Sequence, residues 1–252
     1  MSGHSKWHSI KHKKAAADSK RGKAFTGIIK EITVAARAAG GDPNFNPRLR
    51  LCIDKAKSVN MPKENIERAI KKGTGELEGF TLEDVVYEGY GPGGAALLVE
   101  TLTDNRNRTV GEIRHLFSKY GGNLGEAGSV GWIFHKRGYI VVERAAVKEE
   151  ELIDCVLEAG GEDVSEDGTN WEVFTPTDAF ESVVTALKAK NVPMSVQQVA
   201  MIPQSSVKLE GKQAQQMLKL MEVLEDHEDV QSVWANFDIE EKELEAAMSS
   251  SS

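Results

Sequence analysis

The fold is decided between residues 139 and 199, where the sequence reads YIVVE (139–143), EEELIDCVLE (149–158), WEVF (171–174), AFESVVTALK (179–188) and SVQQV (195–199). The two longer segments have apolar residues three and four positions apart, which predicts helices, whereas the short β-branched and aromatic segments predict strands. With a further strand near Val164, the order is β-α-β-β-α-β, that of a ferredoxin-like domain. We therefore expect such a domain over residues 135–200.

The segments on either side predict a second α/β domain. Residues 80–134 read as two strands joined by the glycine-rich loop 89–94, then a helix from about Arg108, then a strand at 130–134. Residues 201–240 add a helix and a terminal strand, which cannot form a domain alone. We expect 80–134 plus 201–240 to make one α/β domain that has the ferredoxin-like domain inserted in it.

Residues 1–79 are expected to form a basic arm and a three-helix domain. Residues 1–23 are polar and basic, with little apolar periodicity. Helical spacing follows up to Gly40, Asn46-Pro47 is typical of a helix start, and Pro62 begins a third helix that Gly73 would close. The predicted fold class is thus α/β (α+β), with an N-terminal three-helix domain followed by two ferredoxin-like α/β domains.

Charge is divided unevenly along the chain. The whole protein has 31 Lys and Arg against 39 Asp and Glu, a formal net charge of −8. Residues 1–72 nevertheless contain 17 basic and six acidic side chains, a net charge of +11, which leaves 14 basic and 33 acidic groups, or −19, for the rest. A basic segment on an acidic protein is typical of contact with phosphate, because cations displace the counterions condensed on nucleic acid. We therefore predict a nucleic-acid partner for the N-terminal region.

The sequence predicts a cytoplasmic protein with no membrane partner. No run approaches the ~20 apolar residues that a bilayer requires, and the N-terminus MSGHSKWHSIKHKK lacks the apolar core of a signal peptide. Cys52 and Cys155 lie far apart, which favours buried free thiols over a disulfide framework or a zinc cluster.

Motifs for cofactors and catalysis are weak. The loop 89-GYGPGG-94 matches a dinucleotide-binding spacing, but a strand follows it where a helix is required, so we interpret it as a hairpin turn. The arm's three histidines, four residues apart, lie among lysines that disfavour a cation, so no metal is predicted. No nucleophile, base and orienting group fall in a recognisable arrangement. We predict no cofactor and no enzymatic activity.

Nucleic-acid contacts are predicted at cations of the arm and the helices, since phosphate neutralisation dominates such binding. Trp7 has two interpretations, stacking on a base or anchoring the arm to the helical domain. Arg106 and Arg108 flank a helix start, where cations are disfavoured, so they are candidates for holding phosphate or a protein partner. The predicted nucleic-acid-binding residues are Lys6, Trp7, Lys11, Lys13, Lys14, Lys20, Arg21, Lys23, Arg48, Arg50, Arg106 and Arg108.

The chain resembles the YebC/PmpR family over nearly its whole length. The resemblance is carried by SGHSKWHSIKHKK (2–14), KRGKAFTGIIKEITVAAR (20–37), NPRLRLCIDKAKSVNMPKENIERAIKKGTG (46–75), YEGYGPGG (87–94), TDNRNRT (103–109) and SVGWIFHKRGYI (129–140). It implies a three-domain α/β architecture and a role as a DNA-binding transcriptional regulator. Related mitochondrial proteins are translational activators, and family members are also assigned to ribosomes, where they relieve stalling at proline-rich stretches.

Three functional hypotheses stay open at this point. A DNA-binding regulator would read promoter DNA with the helix at 62–72. A ribosome-associated translation factor would grip rRNA with the arm and helices. An acidic protein-interaction module with an incidental basic segment would show no salt-dependent nucleic-acid binding. The sequence leaves the oligomeric state open between a monomer and a weak dimer.

Overall fold

The computed structural model describes residues 21–77, 82–240 and 243, and its first elements are three helices. These are α1 (Arg21–Ala39), α2 (Pro47–Ser58) and α3 (Lys63–Thr74). Helices α2 and α3 both pack on α1, and the apolar stripes of all three form a shared core. The predicted three-helix unit is therefore confirmed. Its buried residues include Ile28, Ile32, Ala36, Leu49, Cys52, Ala56, Ile66 and Ala69.

The end of α3 differs from the prediction. We expected Gly73 to close the helix, but α3 continues to Thr74 and ends at Gly75, whose φ of 77° is in the left-handed region. Gly73 instead faces α1, where an added Cβ would lie 2.4 Å from the carbonyl oxygen of Thr33. Gly73 is therefore needed for the close approach of two helices.

Beyond the helices the chain alternates strands and helices. The elements are, in order, β1 (Glu83–Tyr90), β2 (Ala96–Thr103), α4 (Arg106–Lys119), β3 (Asn123–Leu124), β4 (Phe134–Glu143), α5 (Glu149–Glu158), β5 (Asp163–Asp167), β6 (Asn170–Thr175), α6 (Phe180–Ala189), β7 (Met194–Pro203), β8 (Val207–Lys208), α7 (Gly211–Glu225), β9 (Val230–Ala235) and β10 (Phe237–Asp238). The fold class is mixed α/β, as predicted.

Eight of these strands form two four-stranded antiparallel sheets of the same design, and β8 and β10 form a separate parallel pair. The first has the order β3-β1-β2-β9 and the second β5-β6-β4-β7. In both sheets a helix joins an inner strand to an edge strand, by β2-α4-β3 in the first and β4-α5-β5 in the second. A second helix, α7 or α6, leads into the opposite edge strand. The first sheet differs in that β1 precedes β2 through the hairpin loop 91–95.

The boundary between the two sheets also differs from expectation. Residues 130–134 were predicted as a strand, but Gly131–Ile133 form a single 3-10 turn and β4 begins at Phe134. The turn forms because the Glu88 carboxylate accepts from the backbone N–H groups of this segment, which removes them from sheet pairing. Phe134 pairs with Pro203 in the second sheet. We propose domain limits after Ile133 and after Pro203.

The two sheets pack against each other by the faces that their helices leave uncovered. Helices α4 and α7 cover Leu97 and Val99 of the first sheet, and α5 and α6 cover Ile140 and Val142 of the second. The reverse faces meet in a separate apolar cluster that includes Ala96, Leu98, Trp234, Tyr139, Val141, Val196 and Ala200. Strand β2 is consequently buried on both sides, and the layers run helix, sheet, sheet, helix.

Ion pairs hold the helical bundle against the first α/β unit. Arg37 of α1 pairs with Asp84 at 2.7 Å, and Lys72 of α3 pairs with Asp104 at 3.1 Å. Lys30 donates to the carbonyl oxygen of His227.

None of the helices in the described part of the chain has the length and apolar character needed to span a bilayer.

Candidate nucleic-acid interface

The exposed side of α2 begins at a well-anchored helix cap. Asn46 is buried, and its Oδ1 accepts from the N–H of Leu49 at 3.0 Å. Its Nδ2 donates to the carbonyl oxygens of Ala35 and Gly40, both at 2.8 Å. Pro47 occupies the first helical position, where no N–H is needed. The cap thus ties the start of α2 to the end of α1 and fixes the backbone on both sides of Asn46.

Two of the predicted contact residues project from this fixed helix. Arg48 and Arg50 are exposed, while Leu49 and Cys52 are buried in the bundle core. Neither arginine side chain makes an ion pair or a hydrogen bond with another residue in the described ranges. Their charge is therefore directed at solvent, where it is available to an anionic partner.

Most other cations of the bundle are neutralised within the protein. Besides the two pairs that dock the bundle, three lysines have carboxylate partners of their own. They form the pairs Lys55–Glu31 at 2.6 Å, Lys57–Asp54 at 3.9 Å and Lys63–Glu67 at 3.3 Å. Arg68 and Lys71 on α3 are exposed and, within the described residues, have no such pair.

A shallow depression beside α3 does not extend this cationic surface. Lys71 lines it, but so do Asp42, Glu67 and Glu76. Three carboxylates around one lysine repel phosphate. The face of the bundle most suited to an anionic ligand is therefore that of Arg48 and Arg50.

The predicted arm residues lie mostly outside the described part of the chain. This applies to Lys6, Trp7, Lys11, Lys13, Lys14 and Lys20. The backbone of Arg21 and Lys23 forms the first turn of α1, and their side chains are not described. Their role as phosphate contacts stays a prediction.

Arg106 and Arg108 have different surroundings. Arg106 is exposed at the first position of α4, and its carbonyl oxygen accepts from the Tyr87 hydroxyl at 3.4 Å. Arg108 lies among carboxylates: its Nη2 is 2.8 Å from Asp229 and 3.2 Å from Asp104. The carboxylates of Asp104 and Asp229 thus explain why a cation is tolerated at the start of α4, where cations are otherwise disfavoured. Since binding a phosphate would require displacing these carboxylates, we leave Arg108 out of the interface we propose.

Asp229 is the centre of this polar cluster and is 2% exposed. Its Oδ2 accepts from Arg108, from the Thr109 hydroxyl at 2.6 Å and from the Thr103 hydroxyl at 3.1 Å. Burial opposes its ionisation, but these hydrogen bonds and the adjacent guanidinium outweigh burial and hold the pKa of Asp229 below its ordinary value. The cluster joins β2, α4 and the loop before β9.

The same region contains the one set of potential metal ligands in the described residues. Ligand atoms of Glu112, His227 and Asp229 lie within 4.8 Å of one another. Both imidazole nitrogens of His227 are engaged, however: Nδ1 accepts from the N–H of Asp229 at 3.1 Å, and Nε2 is 2.9 Å from Glu112. With Arg108 also bound to Asp229, this donor set is suited to internal hydrogen bonding and not to a cation.

Exposed apolar side chains near the arginines were not predicted. Phe45 is 85% exposed and Leu51 is 70% exposed. In the sequence, Phe45 is the one aromatic residue of a turn-forming segment of glycine, proline, Asp and Asn, and this isolation could have indicated its exposure. Trp132, at 69%, is a third exposed apolar residue; it lies within the segment 130–134 that was predicted as a strand, in the turn that Glu88 holds.

Residues 5–76 match the model of the TACO1/YebC protein N-terminal domain, and residues 82–237 match that of the TACO1/YebC second and third domain. The chain belongs to the TACO1/YebC family. The resemblance stated from its sequence motifs is confirmed.

Relatives within the TACO1/YebC family match almost the whole chain. A protein of Geobacter sulfurreducens is 59% identical over 248 residues, which cover 98% of this chain and 100% of the relative. One of Solibacter usitatus is 59% identical over 246 residues, covering 98% and 99%. Both are named "probable transcriptional regulatory protein". The crystal structure of a conserved hypothetical protein from Aquifex aeolicus is similar with a TM-score of 0.68 and 48% identity, over 89% of this chain and 93% of that one.

Proposed function

We propose that this protein is a regulator of gene expression that binds nucleic acid through the cationic face of its helical bundle. The observation that carries the proposal is the pair Arg48 and Arg50, which are exposed on a capped helix and have no carboxylate partner within the described chain. The chain after residue 72, by contrast, has a net charge of −19. Unneutralised arginines attract phosphate, and the acidic units confine the contact to one end. The name of the relatives supports a role in transcription.

The proposed role is binding and not catalysis. Asp229, which is buried and has a lowered pKa, is a type of residue that catalytic sites use, but its hydrogen bonds all serve to join elements of the fold.

A cytoplasmic protein acting on promoter DNA is the first form of the proposal. The four-residue connection from Val59 to Pro62 between α2 and α3 has the length found in helix-turn-helix units.

The second form is a translation factor that binds ribosomal RNA. It is favoured by the surroundings of α3, the helix expected to read DNA. Lys63 is paired with Glu67 and Lys72 with Asp104, which leaves Asn65, Arg68 and Lys71 as polar groups able to reach base edges. Irregular RNA requires phosphate contacts and unpaired bases more than a regular reading helix.

Cross-linking and sequencing of nucleic acid bound in cells tests both forms. The intact protein is compared with an Arg48→Gln/Arg50→Gln variant and with Lys188→Gln/Lys190→Gln, a matched removal of two exposed cations on the second α/β unit. Discrete promoter DNA lost only with the arginine variant supports the regulator, and rRNA clustered at one ribosomal site supports the translation factor. Recovery that is equal for all three proteins would contradict the proposed interface.

A further inference from the structure

Phe45 is exposed on a backbone that cannot easily withdraw it. Its N–H donates to the carbonyl oxygen of Asp42 at 3.2 Å, and the next residue is Asn46, whose side chain makes the three hydrogen bonds of the cap. The Phe45 ring is 85% exposed on a turn whose backbone is fixed. A partner that binds the ring would therefore not lose free energy by ordering the backbone of this turn.

The start of α2 leaves this ring without its usual apolar partner. A hydrophobic residue just before a helix cap commonly packs against the fourth residue of the helix. In α2 that position is Arg50, which is exposed. Leu51 is also exposed, and it neighbours Arg48 three positions earlier on the helix surface. Apolar and cationic side chains are therefore both exposed on the turn before α2 and on its first turns; we call these four residues, Phe45, Arg48, Arg50 and Leu51, the Phe45–Leu51 surface.

We propose that the Phe45–Leu51 surface binds unpaired nucleotides, with a base stacked on Phe45 and the adjoining phosphates bound by Arg48 and Arg50. The inference rests on the proposed function and specifies its ligand as single-stranded nucleic acid. Every base has an apolar face that stacks on an aromatic ring, and cations beside the ring hold the backbone. In an intact duplex those faces are stacked within the helix, so the duplex can use the arginines but not Phe45.

A protein partner fits the same surface less well. Two exposed guanidinium groups on the first turns of α2, with no carboxylate partner in the described chain, call for an anionic ligand, and nucleic acid supplies anion and apolar face in a fixed repeat. The Phe45 ring could also insert between the base pairs of a bent duplex. In that case Phe45→Ala would weaken duplex binding as well, which the following test detects.

The test measures the affinity of the full-length protein for a fluorescently labelled RNA strand of about 12 nucleotides and for the duplex of the same sequence. The variants are Phe45→Ala, Phe45→Trp and, as an exposed apolar control at 55%, Leu157→Ala. We expect Phe45→Ala to weaken single-strand binding about 5- to 150-fold and to leave duplex binding and the salt slope unchanged, since no charge is removed. Phe45→Trp should keep the affinity, and Leu157→Ala should have no effect.

Three results would overturn the inference. They are single-strand binding that Phe45→Ala does not weaken, equal losses for strand and duplex, and an intact protein that binds only the duplex. The Arg48→Gln/Arg50→Gln variant separates this failure from failure of the proposed function. If the arginine variant binds weakly and Phe45→Ala binds normally, only stacking is wrong; if the arginine variant also binds normally, the interface itself is wrong.

Discussion

Asp229 shows how much a single buried residue organises this protein. It receives hydrogen bonds from Thr103 at the end of β2 and from Arg108 and Thr109 in α4, although it lies about 120 positions further along the chain. The sequence offered no sign of this distant pairing, which left Arg108 as a candidate for holding phosphate or a protein partner. A local pattern can identify an unusual cation, but the carboxylate that explains it is determined by the fold.

Replacing Asp229 with Asn should destabilise the protein by roughly 2–3 kcal/mol at neutral pH, because a charged acceptor of three hydrogen bonds is lost inside the fold. Urea denaturation measures the change. Glu228→Gln is the control, since Glu228 is 3.8 Å from the same guanidinium but its side chain is 68% exposed. The control should alter stability by less than about 0.5 kcal/mol; an equal effect of both changes would contradict the role of burial.

The difference between the native protein and Asp229→Asn should depend on pH. The pKa of Asp229 is lowered in the folded protein, so its stabilising contribution is complete above the ordinary aspartate pKa of about 3.9 and is lost as pH falls through the folded value. The two proteins should therefore converge in stability as the pH is lowered below about 4. A constant difference from pH 7 to pH 3 would show that ionisation of Asp229 is not involved.

At the scale of elements, sequence periodicity located most helices and strands, and α5 has the predicted bounds. Two predictions were wrong, each for a different physical reason. Glycine ends helices and also permits close packing, and Gly73 has the second use. The strand expected at 130–134 was replaced by a turn because Glu88, more than 40 positions earlier, binds its backbone.

Gly73→Ala should separate α3 from α1. Alanine favours helices by about 1 kcal/mol over glycine, but here its Cβ would meet the Thr33 carbonyl, which belongs to the backbone and cannot rotate away. We expect a net loss of roughly 1–3 kcal/mol in chemical denaturation. Gly111→Ala in α4 has no atom within 4 Å of the added Cβ and should be stabilising, so a loss there would invalidate the comparison.

Glu88→Gln should loosen the turn at 125–133 that presents Trp132. The carboxylate accepts from the N–H groups of Gly128, Val130 and Gly131 at 2.6–2.7 Å, whereas an amide would turn an NH2 group toward some of these donors. Hydrogen exchange at these amides should accelerate by at least about tenfold, which corresponds to ~1.4 kcal/mol. Exposed Glu126 in the same loop supplies the control, and Glu126→Gln should leave exchange unchanged.

For the molecule as a whole, the uneven charge along the chain predicts how binding responds to salt. Arg48→Gln/Arg50→Gln should lower the slope of log affinity against log salt by about one unit for each arginine that contacts phosphate. Lys188→Gln/Lys190→Gln removes the same charge from another unit and should leave the slope unchanged. Weaker binding by the arginine variant at an unchanged slope would indicate that the arginines do not contact phosphate.

The back-to-back sheets carry a consequence for how such a chain can change over time. Phe134 and Pro203 lie opposite each other, so the stretch between them leaves the rest of the protein and returns at one point. A gene segment encoding it can be gained or deleted without altering the path of what surrounds it. Deletion would leave Ala96, Leu98 and Trp234 uncovered, however. A shortened descendant would therefore need a new cover for that face, and a second copy of itself is the simplest one available.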